Sequence, residues 1–202
     1  MESSTSALSF GLVDGRPVFA DLVDDSYFML GPDEEPGFLE QLNRKGADGI
    51  EGPLVLPPPE SSALSHITEL PRPRLGEILA VARLLILVSI ELRREPISKI
   101  LSGVRLRRNS GVEEGDPIEA ARRFASARRL VPIRFNCLRD SLALMHWLAS
   151  RRANAVLVLG VKLDPFAAHC WVQSKSCLLN DHAERIERFT PVRVVRCTPD
   201  MP

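Results

Sequence analysis

Net charge is the first thing this 202-residue sequence lacks: 26 Lys and Arg are matched by 26 Asp and Glu. The balance argues against a nucleic-acid binder that works by global electrostatics, and only local Arg-rich stretches remain for an anionic partner. Those stretches (Arg105, Arg107, Arg108; Arg122, Arg123; Arg128, Arg129) read more simply as a solvated helix face. Cysteine is scarce too. Four residues (Cys137, Cys170, Cys177, Cys197) form no Cys-x-x-Cys pair, which excludes a disulfide scaffold and suggests reduced thiols in the cytoplasm. Residues 1–10 lack the basic start and apolar core of a signal peptide. The longest apolar run, residues 78–92, contains Arg83 and Glu91. It is about fifteen residues long against the roughly twenty that a membrane span needs, so it reads as a helix buried on most sides. No Gly-x-x-x-x-Gly-Lys-Ser/Thr stretch is present to cradle nucleotide phosphates, and no internal repeat appears. Aromatics make up only 5%, with Trp147 and Trp171 both towards the C-terminus.

What is present divides at a proline-rich stretch. Residues 7–13, 17–22 and 27–30 are apolar runs separated by Asp14-Gly15 and Asp24-Asp25, the pattern of a three-stranded antiparallel meander. A short helix is expected over residues 36–44, with Phe38, Leu39 and Leu42 on one face. Gly46, Gly49 and Gly52 then break regular structure, and Pro57-Pro58-Pro59 marks an extended linker. Beyond it the sequence predicts a long helix over residues 74–94 and a polar loop over 103–115. Asp116-Pro117 opens a further helix to about residue 129.

Asn136 is a good N-cap, and residues 137–150 continue as a largely buried helix. Cys137 falls in its first turn. There the positive end of the helix dipole and unpaired amides stabilise a thiolate, and the same amides can receive an oxyanion. Residues 153–161 have the composition of a buried strand, residues 168–173 form a second and residues 177–181 a third. If Ser174, Lys175 and Ser176 make a three-residue loop, Gln173 faces Cys177 and His169 falls opposite Asp181. The two would be about 5 Å apart at Cβ. An imidazole and a carboxylate at that spacing can hydrogen-bond, which orients the ring for proton transfer. Each residue also has a plainer reading: Cys137 as packing, His169 as a satisfied core histidine, Asp181 as a strand cap. His146 and His182 compete for the role of base, and Cys170, Cys177 and His182 could instead ligate zinc.

The motifs Cys137-Leu138-x-x-Ser141-Leu142-Ala143-Leu144, Gly160-Val161, Pro165-Phe166-x-Ala168-His169-x-Trp171-Val172 and Asn180-Asp181 closely resemble the lasso-peptide B-type proteins. Those are bacterial leader peptidases with a transglutaminase-like, papain-related fold. The resemblance implies an α+β chain in which a Cys-bearing helix packs on an antiparallel sheet bearing His and Asp, with Cys137, His169 and Asp181 as catalytic triad. No cofactor or metal is implied. The N-terminal segment, Gly15-x-x-Val18-x-x-Asp21-Leu22 with Tyr27-Phe28-x-Leu30, resembles the start of a small winged-helix-like precursor-recognition domain. Such a domain takes the leader as an added strand. This implies a recognition domain over residues 1–56, a linker over 57–73 and a peptidase domain over 74–202. Phe19, Leu22, Tyr27, Phe28 and Trp171 are implied as substrate-binding. The implied partners are a precursor peptide and an asparagine-synthetase-like lasso macrocyclase. Against the family pattern, Asp140 stands where many relatives have Arg, and no Gln precedes Cys137 at the papain spacing.

Overall fold

Turn chemistry and alternating apolar residues build the N-terminal sheet. In a computed structural model that describes residues 8–45, 56–65, 70–105 and 115–196, strands β1 (Leu8–Val13), β2 (Arg16–Asp21) and β3 (Ser26–Met29) form an antiparallel meander. Asp14 and Gly15 both have positive φ, as the tight β1–β2 turn requires. Alternation splits β2 between two faces. Phe19 points towards helix α1 (Glu35–Lys45), where its ring meets those of Phe10, Phe28 and Phe38. Val18 and Ala20, with Leu22 just beyond the strand, point the other way into the main core.

The rest of the chain is helices on a five-stranded sheet. Helices α2 (Leu75–Arg94), α3 (Ile97–Arg105), α4 (Pro117–Arg128) and α5 (Cys137–Ser150) come first. Strands β5 (Val156–Lys162), β6 (Ala167–Ser174) and β7 (Cys177–Leu178), the short helix α6 (Ala183–Ile186) and β8 (Thr190–Arg196) follow. Strand β4 (Ser61–Ser62) lies at one edge, and the sheet order is β4-β7-β6-β5-β8. Only β4 runs parallel to its neighbour, so the sheet is mixed and the architecture is α+β.

Helix starts follow their caps. Asp116 accepts the Ile118 amide at 2.8 Å, and Asn136 accepts the Arg139 amide at 3.0 Å. Leu142, Trp147 and Leu148 of α5 join Val81, Leu85 and Val88 of α2 in a core shared with Leu157 and Val172 of the sheet. Trp171, Val158, Leu178, Ile186 and Val194 form a second, smaller cluster.

Four expectations are corrected. Helix α2 is not buried on most sides: it packs by the Val81, Leu85, Val88 stripe while Leu75, Leu79, Ile86 and Ile90 are exposed. Residues 97–105 form α3 where the expected loop was to begin at 103, because Ile97, Ile100 and Leu101 share one buried face. Residues 106–114 of that loop, and Gly46, Gly49 and Gly52, lie outside the described residues. The end of the proline-rich stretch, Ser61 and Ser62, is not only a connector but an edge strand paired with Cys177 and Leu178. Finally, the β6–β7 connection has two residues, not three. Lys175 takes φ +53°, which closes the turn on Lys175 and Ser176 and pairs Ser174 with Cys177 and Gln173 with Leu178.

The N-terminal sheet is built into this body. Its residues Val13, Val18, Ala20 and Leu22 share the main core with the helices. The Leu22 carbonyl accepts the Ser98 amide at 3.2 Å, and Asp25 Oδ1 accepts the Ile97 amide at 3.2 Å, tying the meander to the start of α3. Strand β1 lies against β8 so closely that a Cβ on Gly11 would come within 2.6 Å of the Pro191 carbonyl oxygen and 2.9 Å of Val192 Cγ1. Overpacking there costs about 1–3 kcal/mol, offset by about 0.4–1 kcal/mol from a less flexible unfolded chain. Gly11→Ala is therefore expected to lower Tm by a few degrees, at most about 10 °C. Calorimetry showing an unchanged or raised Tm would refute this close seating.

Candidate active site

Cys137 opens α5, half-buried and free. Its position is fixed from behind by an ionic arrangement. Asp140, 3% exposed, pairs with Arg128 through Nε and takes the Asn136 amide at 3.1 Å. The same guanidinium donates to the carbonyls of Val131 at 3.1 Å and Ile133 at 2.8 Å. Arg139 adds a longer contact to the same carboxylate at 3.4 Å and donates to the Arg134 carbonyl, so one buried carboxylate and two arginines hold the chain that leads from α4 to the nucleophile. A charge at Asp140 is compatible with burial only because it is paired and hydrogen-bonded.

His169 stands on β6, facing Gly160 across the ladder. Gly160 is required there: a Cβ would lie 2.6 Å from the Trp171 ring and 3.3 Å from Phe189 Cβ. The Trp171 and Phe189 rings, with centroids 6.2 and 5.2 Å from that of His169, complete its surround. Nε2 of His169 hydrogen-bonds Asp181 Oδ2, and the Cys137 thiol is the ring's other interaction partner.

Asp181 reaches the ring by a route other than the expected one. With the two-residue turn, a continued ladder would place His182 rather than Asp181 opposite His169. The ladder does not continue. After Leu179 donates to the Val172 carbonyl at 2.9 Å, Asn180 replaces the next backbone bond with its side chain. Its Oδ1 accepts the Val172 amide at 2.8 Å and its Nδ2 donates to Ser141 Oγ at 2.8 Å. Ser141 in turn donates to the Cys170 carbonyl at 3.1 Å. On the far side Ser62 Oγ holds the Asp181 carbonyl at 2.6 Å. Asn180, Ser141 and Ser62 are therefore positioning residues. Ser141 and Asn180 stood in the motifs without a role, and their spacing along the chain gave no sign that they meet.

Electrostatics make the three side chains one unit. The hydrogen bond from His169 is the main influence lowering the Cys137 pKa. It outweighs burial, and the imidazolium charge and the amides of Cys170 and Leu138 add to it. Burial alone would depress His169, yet its bonds to Asp181 and Cys137 and their charges lift it to about 9. Burial likewise pushes Asp181 up, but His169, the His182 amide and Arg185 more than offset this and hold it below the usual carboxylate range. The combination favours thiolate and imidazolium over thiol and imidazole, the activated form of a nucleophilic cysteine. The other described thiols differ: Cys170 is sealed and pushed upward by burial, and Cys177 is buried.

Of the residues implied as substrate-binding, Phe19 and Leu22 are buried on opposite faces of the N-terminal sheet. Trp171 is buried behind His169, Phe28 is exposed on Phe19, and half-buried Tyr27 meets Phe166 at 6.0 Å between centroids. Tyr27 is close enough to feel the charges of Cys170 and Cys137. With burial as the larger cause, these raise its pKa to about 12. His146 lies within α5, and His182 offers its amide to Asp181. Among the described residues no three His, Cys, Asp or Glu side chains gather as a metal site, so Cys170, Cys177 and His182 do not form one.

A family model described as the Transglutaminase-like superfamily matches residues 84–194, more than half of the chain. The match runs from the middle of α2 into β8 and contains Cys137, His169 and Asp181. Neither the curated proteins nor the solved structures contain a match to the chain.

The pH dependence follows from the two shifts. Cys137, lowered, is ionised from a pH below the ordinary thiol value; His169 stays protonated until about 9. The ion pair fills the window between, so Cys137 alkylation by iodoacetamide is expected to titrate with a midpoint below about 8.5. His169→Ala is expected to move that midpoint up, because the hydrogen bond and the charge that lower the thiol are both removed. Identical midpoints in the two proteins would show that the imidazole does not activate the thiol.

Proposed function

The chain belongs to the transglutaminase-like superfamily, and from that premise we propose that it is a leader peptidase acting on a ribosomally made lasso-peptide precursor. The observation that carries the reading is a partly exposed thiol at a helix start, paired with an imidazole that Asp181 holds from behind, in a body that shares its core with an N-terminal sheet whose β3 edge pairs with no further strand among the described residues. Family membership alone is consistent with thioester chemistry ending either in hydrolysis or in acyl transfer.

The Cys137 thiolate attacks the scissile carbonyl carbon, with charge developing on the carbonyl oxygen near the amides of the first turn of α5. The His169 imidazolium gives its proton to the leaving amine as the C–N bond breaks. This leaves a thioester and a neutral ring, which then takes a proton from water as water attacks the thioester. The products are the leader carboxylate and the free thiolate. Asp181 keeps the ring oriented and stabilises its charged form throughout.

The N-terminal sheet supports the leader part of the reading. Strand β3 is an edge, and among the described residues its outer side pairs with no strand. An extended leader can add there by backbone hydrogen bonds, with half-buried Tyr27 and exposed Phe28 offering side-chain contacts. Under this reading the protein works in the cytoplasm and hands the freed core amine to an asparagine-synthetase-like macrocyclase. The motifs over residues 136–181 that resemble lasso-peptide B-type proteins support that context.

Incubation of wild-type protein with the precursor is expected to give leader and core that differ from the precursor by one water. Cys137→Ala is expected to cut at least about a thousandfold more slowly. An untouched precursor with wild-type protein, or undiminished cleavage by Cys137→Ala, overturns the assignment. A leader carrying an added amine in place of water marks an acyltransferase.

A further inference from the structure

Beside the nucleophile is a cavity of about 350 Å³, closed by two parts of the chain that the family match separates. Leu22 and Tyr27 come from the N-terminal sheet; Leu92 and Leu138 come from the catalytic body. Leu138 is the residue after Cys137, Asn136 before it also lines the space, and Tyr27 senses the charge of the Cys137 sulfur. The hollow therefore borders the first turn of α5 through the residues on either side of Cys137. Its charged lining is of one sign: Asp21 and Asp25, with no Lys, Arg or His. Asp21 Oδ1 is occupied by the amides of Val23 and Asp24 at 2.8 and 3.3 Å, and Asp25 Oδ1 by the Ile97 amide at 3.2 Å. Among the described residues nothing hydrogen-bonds or ion-pairs with the second oxygen of either.

We propose that this cavity is the subsite for a side chain on the acyl side of the scissile bond, and that it selects an apolar stem ending in a positive charge, as in Lys or Arg. The apolar walls take the methylene stem out of water, and the carboxylates of Asp21 and Asp25, which line the cavity, receive the cation. A carboxylate-bearing side chain is repelled, and an uncharged one gains only the walls. On this view the N-terminal sheet is part of the catalytic site. The proposal rests on the peptidase reading and names the residue such a peptidase prefers.

The test uses peptidyl acyloxymethyl ketones that alkylate Cys137, identical except for Lys, norleucine or Glu at either of the two positions nearest the ketone. Rates are divided by each protein's iodoacetamide rate. The wild type is expected to favour Lys over norleucine by about fivefold to tenfold at one of these positions, with Glu slowest. Asp21→Asn with Asp25→Asn keeps both Oδ1 acceptors and is expected to abolish the preference. High salt is expected to shrink it in the wild type. Norleucine equal to or faster than Lys at both positions, or a Lys preference unchanged by both the substitutions and salt, overturns the proposal. Precursor cleavage is measured separately. An uncut precursor with the Lys ranking intact removes the leader-peptidase reading and keeps the subsite, whereas a cut precursor with no Lys preference does the reverse.

Discussion

The hydrogen bond between His169 and Asp181 is the contact on which the site depends. Without the carboxylate, burial would favour a neutral imidazole, and a neutral imidazole would do far less to ionise the sulfur beside it. The protein does not obtain this contact from regular sheet pairing. It ends β7 after two residues, keeps one more backbone bond at Leu179, and steers the next two by side chains: Asn180 caps the Val172 amide, and Ser62 holds the Asp181 carbonyl. A β-ladder alone would have offered the wrong residue.

The second constraint is that the catalytic body and the N-terminal sheet share a core. Gly11 lets β1 lie on the backbone of β8, and Leu22 and Asp25 bind the amides that start α3. An N-terminal sheet joined this closely cannot move freely with respect to the thiol. That rigidity is what allows Tyr27, from a sheet outside the matched family region, to stand close to Cys137.

Much of this was legible in the sequence wherever the signal was local. The caps Asp116 and Asn136 and the long apolar period of α2 located three helices to within a residue or two, and the Asp-Gly turn located the meander. The residues that meet at the site were singled out for the same reason: a Cys at a capped helix start, followed by His and Asp on adjacent strands. What was not legible depends on distant partners. The β6–β7 register turns on Lys175 adopting positive φ without being Gly or Asn, which composition does not announce. Ser61 and Ser62 have no strand character of their own and become a strand only because β7 lies beside them. The Asn180–Ser141 bond and the Arg128–Asp140 pair join separate elements, and no periodicity encodes them.

The central claim is that a thiolate–imidazolium pair exists in the resting protein. Imidazole nitrogen NMR of His169, followed from neutral to alkaline pH, tests it most directly. The account predicts a ring protonated at neutrality that loses its proton near about 9, and earlier once Cys137 is blocked and its charge removed. A ring already neutral at neutral pH, with no response to blocking the thiol, would contradict it.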